Sequence, residues 1–231
     1  MITAAEVLDA LTGVRDPEID EPLTDLGFVS RVQVAGASVD VALRLPTYFC
    51  APSFAYLMVA DALHAVRALP GVGHVTISLD EHFASSEING AIALGSGFDG
   101  AFPGESAGEL GELRDLFTRK AFAARQSRLC DALLRAGRTL AELAEARLGA
   151  LDGHPEVRRC IALRERLGID ASPDSPAFVL ADGSALEAEG LARFMRVARL
   201  VRLSLEGNAG LCRSLLATRY GIPDPEEAAA A

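Results

Sequence analysis

The chain has 231 residues, half of them hydrophobic, so it can bury the core of one large or two small globular domains. The net charge is −10, and residues 1–100 carry almost all of the excess, with 13 acids against 4 bases. Acidic surface repels phosphate backbones, which excludes a nucleic-acid partner. No apolar run reaches the roughly 18 residues of a membrane span, and the polar start does not resemble a secretory signal. We therefore expect a cytoplasmic protein without a membrane partner.

The first 90 or so residues have the pattern of a small α/β domain. A capping-box spacing at Thr3–Glu6 opens a helical pattern, and two later segments alternate between apolar and polar residues as the strands of a hairpin do. A packed helix and a third alternating strand complete the order α-β-β-α-β, which predicts an open two-layer sandwich. The predicted strands span 28–34, 39–45 and 72–79, and the predicted second helix spans 53–69.

Beyond this domain, residues 95–108 are rich in glycine, serine and proline and are predicted to form a linker. The periodicity then becomes helical, with a short hairpin predicted near 178–183. The first predicted helix spans about 109–135, the second begins at Thr139, and the third spans Pro155–Gly168. Two more are predicted at about 187–206 and about 209–220. The predicted organisation is therefore a domain at 1–94, the linker, a helical domain of unknown role at 109–222 and a flexible tail at 223–231.

One cysteine occupies a position where its sulfur can react. Cys50 follows the second predicted strand and precedes Pro52, which lies in the first turn of the next predicted helix. Unpaired N–H groups and the positive dipole at a helix start favour anionic sulfur, the form that binds metal or attacks an electrophile. The alternative is a small buried hydrophobic residue, and location alone does not decide between the two.

An acidic loop follows the first predicted helix. Carboxylates alternate from Asp16 to Asp20, and flanking prolines keep the segment out of helix. The loop does not match a calcium-binding EF-hand, because its sixth position is Glu21 instead of glycine and its twelfth is Gly27 instead of glutamate. We interpret it either as a solvated acidic segment or as the source of one or two carboxylates that face Cys50.

The remaining candidate ligands show no metal-binding spacing. Cys130, Cys160 and Cys212 occur singly, and we interpret them as buried structural residues. The four histidines are similarly isolated. Gly95–Gly100 matches the GxGxxG dinucleotide pattern, but Pro103-Gly104 lies where the required helix would run, so we assign the segment to the linker.

Four segments in a fixed order resemble one known family. They are Asp16-Pro17-Glu18-Ile19, then Leu23 to Val29, then the cysteine after the hairpin at Cys50, then Leu69-Pro70-Gly71-Val72 before the last strand. With these segments, residues 3–90 are similar to the SufT/PaaD-type iron–sulfur cluster assembly domain. The resemblance covers about two fifths of the chain.

This resemblance implies an overall α/β protein, in which an α-β-β-α-β iron–sulfur-assembly-like domain precedes the mainly α-helical domain. It also implies a role in assembling or delivering iron–sulfur clusters, or in maturing metal-dependent oxygenases, with a transiently bound cluster or iron. By the resemblance, Cys50 is the metal ligand, and Asp16, Glu18 and Thr47 line its pocket. The family usually has Thr-Pro-x-Cys-Pro at this cysteine, whereas this chain places Tyr48-Phe49 before it, which indicates a specialised client.

We weigh three hypotheses for the function. In the first, the protein is an accessory protein and not an enzyme: Cys50 carries the cargo between a scaffold protein and a client metalloprotein, with a bacterial multicomponent oxygenase as the expected client. Iron–sulfur centres take four ligands, so a partner, a small thiol or a second copy in a homodimer must supply the others. The second is a metal-free adaptor that uses Tyr48 and Phe49 as contacts. The third, a thiol enzyme, ranks last because no histidine stands in a recognisable pairing with Cys50.

Overall fold

A computed structural model of the protein describes residues 2–104 and 107–222. The chain divides into two compact units, the first formed by residues up to Glu112 and again from Asn208 onward, the second by Leu113–Gly207. In chain order the elements are α1 (Ala4–Leu11), β1 (Val29–Ala35), β2 (Ser38–Arg44), α2 (Pro52–Arg67), β3 (His74–Asp80), α3 (Ser85–Leu94), α4 (Gly97–Ala101), α5 (Ala107–Arg135), α6 (Leu140–Glu145), a 3-10 helix (Leu148–Leu151), α7 (Pro155–Leu167) and α8 (Ala188–Tyr220).

A three-stranded sheet in the order β1-β2-β3 organises the first unit. β1 and β2 form the antiparallel hairpin, and β2 pairs in parallel with β3 from Ser38 opposite His74 to Arg44 opposite Asp80. The α2 helix provides the crossover that two parallel strands require. This topology confirms the predicted α-β-β-α-β order. It also brings the segment after β2 and the segment after β3 to the same edge of the sheet.

The core of the first unit lies between the sheet and its helices. The Thr3–Glu6 capping box is present and fixes the start of α1, which buries Val7 and Leu11. The apolar face of α2 packs into the same core, with Met58 and Val66 among its buried residues. The strands contribute alternate residues, as expected for a sheet with one buried face.

The chain after β3 contains two helices that the sequence pattern did not reveal. The Asn89 side chain in α3 accepts a hydrogen bond from the Leu79 N–H (2.8 Å) and donates one to the Leu79 carbonyl (3.1 Å), which ties α3 to β3. The stretch predicted to be a linker contains α4, where Phe98 is buried and its ring centre lies 5.3 Å from that of Tyr56. Aromatic packing of Phe98 holds this short helix in place, although the composition around it is typical of a loop.

The second unit is mainly helical, as predicted. The capping box at Thr139 and Glu142 opens α6, and Gly168 ends α7 in the left-handed conformation. The predicted hairpin is a single antiparallel bridge between Val179 and Ala185. Among the described residues, no helix has both the length and the apolar character needed to cross a membrane.

One prediction about the last helices was wrong. The sequence suggested two helices separated at Gly207, whereas α8 is continuous. A glycine inside a helix costs about 1 kcal/mol relative to alanine but breaks no backbone hydrogen bond, so packing on both sides can keep the helix intact. The observed division also differs from the predicted helical domain at 109–222: Ala209 and Leu216 are buried in the core of the first unit. The predicted tail at 223–231 lies outside the described residues.

Candidate functional site

The loop between β2 and α2 presents Cys50 at the start of a helix. α2 begins at Pro52 with Ala51 as its N-cap, and within the described residues no side chain caps this helix start. The first N–H groups of α2 therefore have no side-chain acceptor, and they give this end of the helix a partial positive charge. Cys50 is partly exposed, so a ligand can reach its sulfur.

Thr47 contacts the sulfur directly. Its Oγ1 lies 3.3 Å from Cys50 Sγ and accepts a hydrogen bond of 3.3 Å from the Phe49 N–H. The hydroxyl hydrogen of Thr47 remains available for the sulfur, and a thiolate can only accept. The structure thus brings together two of the four residues that the sequence assigned to the site, in an arrangement that stabilises anionic sulfur.

A buried histidine holds the Cys50 loop in place. His82 Nε2 lies 2.8 Å from the Cys50 carbonyl oxygen, and His82 Nδ1 accepts a hydrogen bond from the Ala84 N–H. Because Nδ1 accepts, Nε2 carries the hydrogen and donates it to the carbonyl. No sequence pattern indicated this role, since His82 follows β3 and is brought to Cys50 by the parallel pairing of β2 and β3.

Asp16 is a buried carboxyl group with only 8 % of its surface exposed. Its Oδ1 accepts hydrogen bonds from the N–H groups of Glu18 (2.8 Å) and Ile19 (3.2 Å). Burial raises the pKa of Asp16 to about 6, with the nearby carboxylates of Glu18 and Glu21 acting in the same direction, although the two hydrogen bonds favour the ionised form. The acidic loop is therefore a folded structure with a carboxyl group that takes up a proton just below neutral pH.

The end of α8 lies against these loops. Arg213 forms an ion pair with Glu21 of the acidic loop. Arg219 donates hydrogen bonds to the carbonyl oxygens of Leu45 (3.1 Å) and Glu81 (2.7 Å), the residues that directly follow β2 and β3. Two arginines of one helix thus contact the acidic loop and the segments that follow β2 and β3.

Cys212 precedes Arg213 on the end of α8 that contacts these loops. It is half-buried in the core of the first unit, and burial raises the pKa of its thiol to about 12, with the nearby Asp16, Cys50 and Glu18 acting in the same direction. The apolar spacing of Ala209, Cys212 and Leu216 indicated a packed helix face but not the domain on which it packs.

The metal-binding capacity of the site is incomplete. Among the residues that the structure describes, no three His, Cys, Asp or Glu side chains are grouped closely enough to hold a metal ion. Cys130 and Cys160 are fully buried in the cores of the second unit. A thiol is the ligand type that suits iron or an iron–sulfur cluster, and such clusters ordinarily take four ligands.

An exposed group of aromatic rings adjoins Cys50. We call Tyr48, Phe49 and Phe83 the aromatic cluster; their ring centres lie 5.0 to 6.4 Å apart, and Phe49 is 77 % exposed. The Phe83 N–H donates a hydrogen bond to the Tyr48 carbonyl (3.1 Å), which joins the two loops that carry the rings. Clustered exposed aromatic residues are typical of protein contact surfaces.

The fold and the thiol at the start of α2 define a small α/β domain of the iron–sulfur assembly class. A family model described as "Iron-sulfur cluster assembly protein" matches residues 4–79. An iron–sulfur cluster carrier protein of Synechocystis sp. is 32 % identical over 110 residues, which cover 43 % of this chain and 31 % of the carrier. An uncharacterized protein of Methanocaldococcus jannaschii is 31 % identical over 90 residues, which cover 38 % of this chain and 93 % of that protein.

The chain belongs to the iron–sulfur cluster assembly protein family. The matched segment contains the sheet, α1, α2 and Cys50, and it ends before His82, the second unit and Cys212. The chain spans about a third of the length of the carrier protein that it matches.

Proposed function

We propose that the protein is a non-catalytic accessory protein that carries an iron–sulfur cluster, or iron, as a transient cargo on the Cys50 thiolate. The observation that carries this proposal is the position of Cys50: a partly exposed sulfur at the start of α2, hydrogen-bonded by Thr47, within the family domain. A thiolate at this position is a ligand for soft and borderline metals.

Incomplete coordination suits a carrier better than a resident metalloprotein. A cluster takes four protein ligands, and the described residues provide no set of three. The remaining ligands would come from the scaffold protein during loading, from the client during release, or from a second copy in a homodimer. Each transfer then exchanges one external ligand set for another without first freeing the cargo from a closed cage.

The client and the compartment form the finer part of the proposal. A client metalloprotein, with a bacterial multicomponent oxygenase as our candidate, is supported by the oxygenase-linked branch of the family that the N-terminal domain resembles. A cytoplasmic location is supported by four free cysteines, since a reducing compartment keeps thiols unpaired.

Anaerobic reconstitution with iron and sulfide tests the carrier role. Wild type is compared with Cys50→Ala and with Cys130→Ala, which removes a fully buried thiol of the second unit. We expect visible cluster absorption in wild type and Cys130→Ala, and loss of most of it in Cys50→Ala. Full cluster absorption in Cys50→Ala would contradict a Cys50-ligated cargo.

The aromatic cluster favours a second candidate function, a metal-free protein–protein adaptor. Its three rings are exposed beside the cargo loop, where a partner can contact them. Affinity purification from the native cells compares Phe49→Ser with Leu94→Ser, a control at an exposed leucine of α3. An adaptor would lose its partners in Phe49→Ser and keep both its partners and the client's activity in Cys50→Ala. Loss of client activity in Cys50→Ala would favour the carrier.

A further inference from the structure

We propose that Cys212 is a second sulfur ligand for the cargo, so that one chain binds it through the pair Cys50 and Cys212. This inference rests on the carrier function proposed above and adds a residue that lies outside the segment matched by the family model. The N-terminal domain would supply one thiol and the end of α8 the other.

Three contacts fix the face of α8 that carries Cys212. Arg213 pairs with Glu21 on the acidic loop, and Arg219 donates to the Leu45 and Glu81 carbonyls. Leu216 packs so closely on Gly27 that a Cβ at this glycine would lie 3.1 Å from Leu216 Cδ2. These helix residues follow Cys212 by one, four and seven positions, which places them on the same side of an α-helix.

The same side of α8 therefore directs Cys212 towards the Cys50 site. Both thiols pack at the border of one hydrophobic core. Cys50, Asp16 and Glu18 all act electrostatically on the Cys212 thiol. A pair of thiols supplies two sulfur ligands, and sulfur ligands select iron–sulfur clusters, zinc or copper(I).

The other two cysteines of this protein are purely structural thiols and provide a comparison of solvent exposure. Cys130 and Cys160 have 1 % and 0 % of their surface exposed and lie inside apolar cores. Cys50 and Cys212 instead both remain partly accessible. Two thiols leave coordination positions free, which agrees with a cargo whose remaining ligands come from another molecule.

Anaerobic titration with Co²⁺, a spectroscopic probe of thiolate coordination, tests the inference. The full-length chain is compared with Cys50→Ala, Cys212→Ala, Cys212→His and the control Cys130→Ala, after circular dichroism has established that each is folded. We expect the thiolate-to-cobalt absorption to fall by about half in Cys212→Ala and the dissociation constant to rise by at least about tenfold. Cys212→His keeps a ligand atom and should recover much of the affinity, and Cys130→Ala should match wild type.

The outcomes separate this inference from the carrier function. If Cys50→Ala loses cobalt binding while Cys212→Ala behaves as wild type, the second-ligand role is overturned and the carrier function stands. If Cys50→Ala also binds as wild type, both are overturned.

Cross-linking of the two thiols in the wild-type protein tests the same inference without relying on variants that could fail to fold. Dibromobimane joins two thiols only when they are close together, and peptide mapping identifies the linked residues. We expect a Cys50–Cys212 link, formed more slowly in the presence of Co²⁺. Modification of the two cysteines without any link between them would overturn the proposal.

Discussion

Buried polar side chains have different roles in the two units of this protein. In the second unit, Arg164 is fully buried and donates hydrogen bonds to the carbonyls of Asp170, Pro176 and Ala177 and to the Ser175 hydroxyl. The Gln126 amide likewise exchanges two hydrogen bonds with the backbone of Val179 (2.9 and 3.0 Å). These groups hold irregular backbone in place, and their partners are all within the unit.

The polar groups around Cys50 in the first unit are arranged differently. The Cys50 sulfur is partly exposed, and the Asp16 carboxyl is buried at a position where its negative charge is unfavourable. Perturbed groups of this kind concentrate at functional sites because function requires reactivity that stable packing does not. The comparison teaches that buried polar groups of the second unit hold irregular backbone in place, whereas those of the first unit include a carboxyl group whose charged form is disfavoured by burial.

The largest effect is expected for substitution of Arg164, because its side chain donates hydrogen bonds to several backbone carbonyls of the second unit. Arg164→Met should lower the free energy of unfolding by about 4 kcal/mol or more, because several buried carbonyls lose their donor at about 1–3 kcal/mol each. Urea unfolding followed by circular dichroism measures the change. The control is Arg166→Met on the same helix, whose exposed side chain should contribute less than about 1 kcal/mol. Equal destabilisation by the two variants would contradict the structural role of Arg164.

An effect of opposite sign is expected at Asp16. Its folded-state pKa of about 6 exceeds the ordinary value of 3.8, so the native state binds the extra proton and stability falls as the pH rises from about 4 to 6. Asp16→Asn removes this ionisation and keeps an oxygen acceptor for the Glu18 and Ile19 N–H groups. It should stabilise the protein by up to about 3 kcal/mol at pH 8 and change little at pH 4.

Thermal and urea unfolding at both pH values measure the Asp16 effect. Asp9→Asn, at an exposed position of α1, serves as the matched loss of one negative charge. The expected difference between pH 8 and pH 4 should be absent in this control. If Asp16→Asn were instead destabilised more at pH 8 than at pH 4, the Asp16 carboxylate would be stabilising, and the prediction would be wrong.

A smaller effect is expected at His82, whose side chain holds the Cys50 loop through two hydrogen bonds. His82→Ala leaves the Cys50 carbonyl and the Ala84 N–H without their side-chain partner and should cost about 2 kcal/mol. The loosened loop should also alkylate faster at Cys50, as measured by mass spectrometry with iodoacetamide. His64→Ala, on the exposed face of α2, should change neither quantity. Unchanged alkylation in a destabilised His82→Ala would limit His82 to a packing role.

The sequence predicted the fold of the first unit well because its signals are local. The Thr3–Glu6 capping box, the alternation in β2 and the proline at the start of α2 each depend on neighbouring residues, and each is present in the structure. The helix α4 was missed because one buried aromatic ring outweighs a composition typical of loops.

The site was only partly predictable for the same reason. Thr47 and Cys50 are close in sequence, and their contact follows from the loop that joins β2 to α2. His82 and Arg219 contact the segment after β2 from 32 and 169 positions beyond Cys50, through strand register and helix docking. No pattern of spacing encodes such contacts, since they depend on which surfaces pack together.

Because β2 and β3 pair in parallel, the position of the Cys50 loop depends on the register between these two strands. Arg44 stands opposite Asp80, so the chain leaves both strands at the same level, and the His82 imidazole needs to span only one strand spacing to reach the Cys50 carbonyl. A slip of β3 by two residues would keep its buried face intact and yet withdraw the imidazole by about 7 Å. Amide exchange at Phe83, whose N–H donates to the Tyr48 carbonyl, therefore reports whether the segments that follow β2 and β3 are still joined.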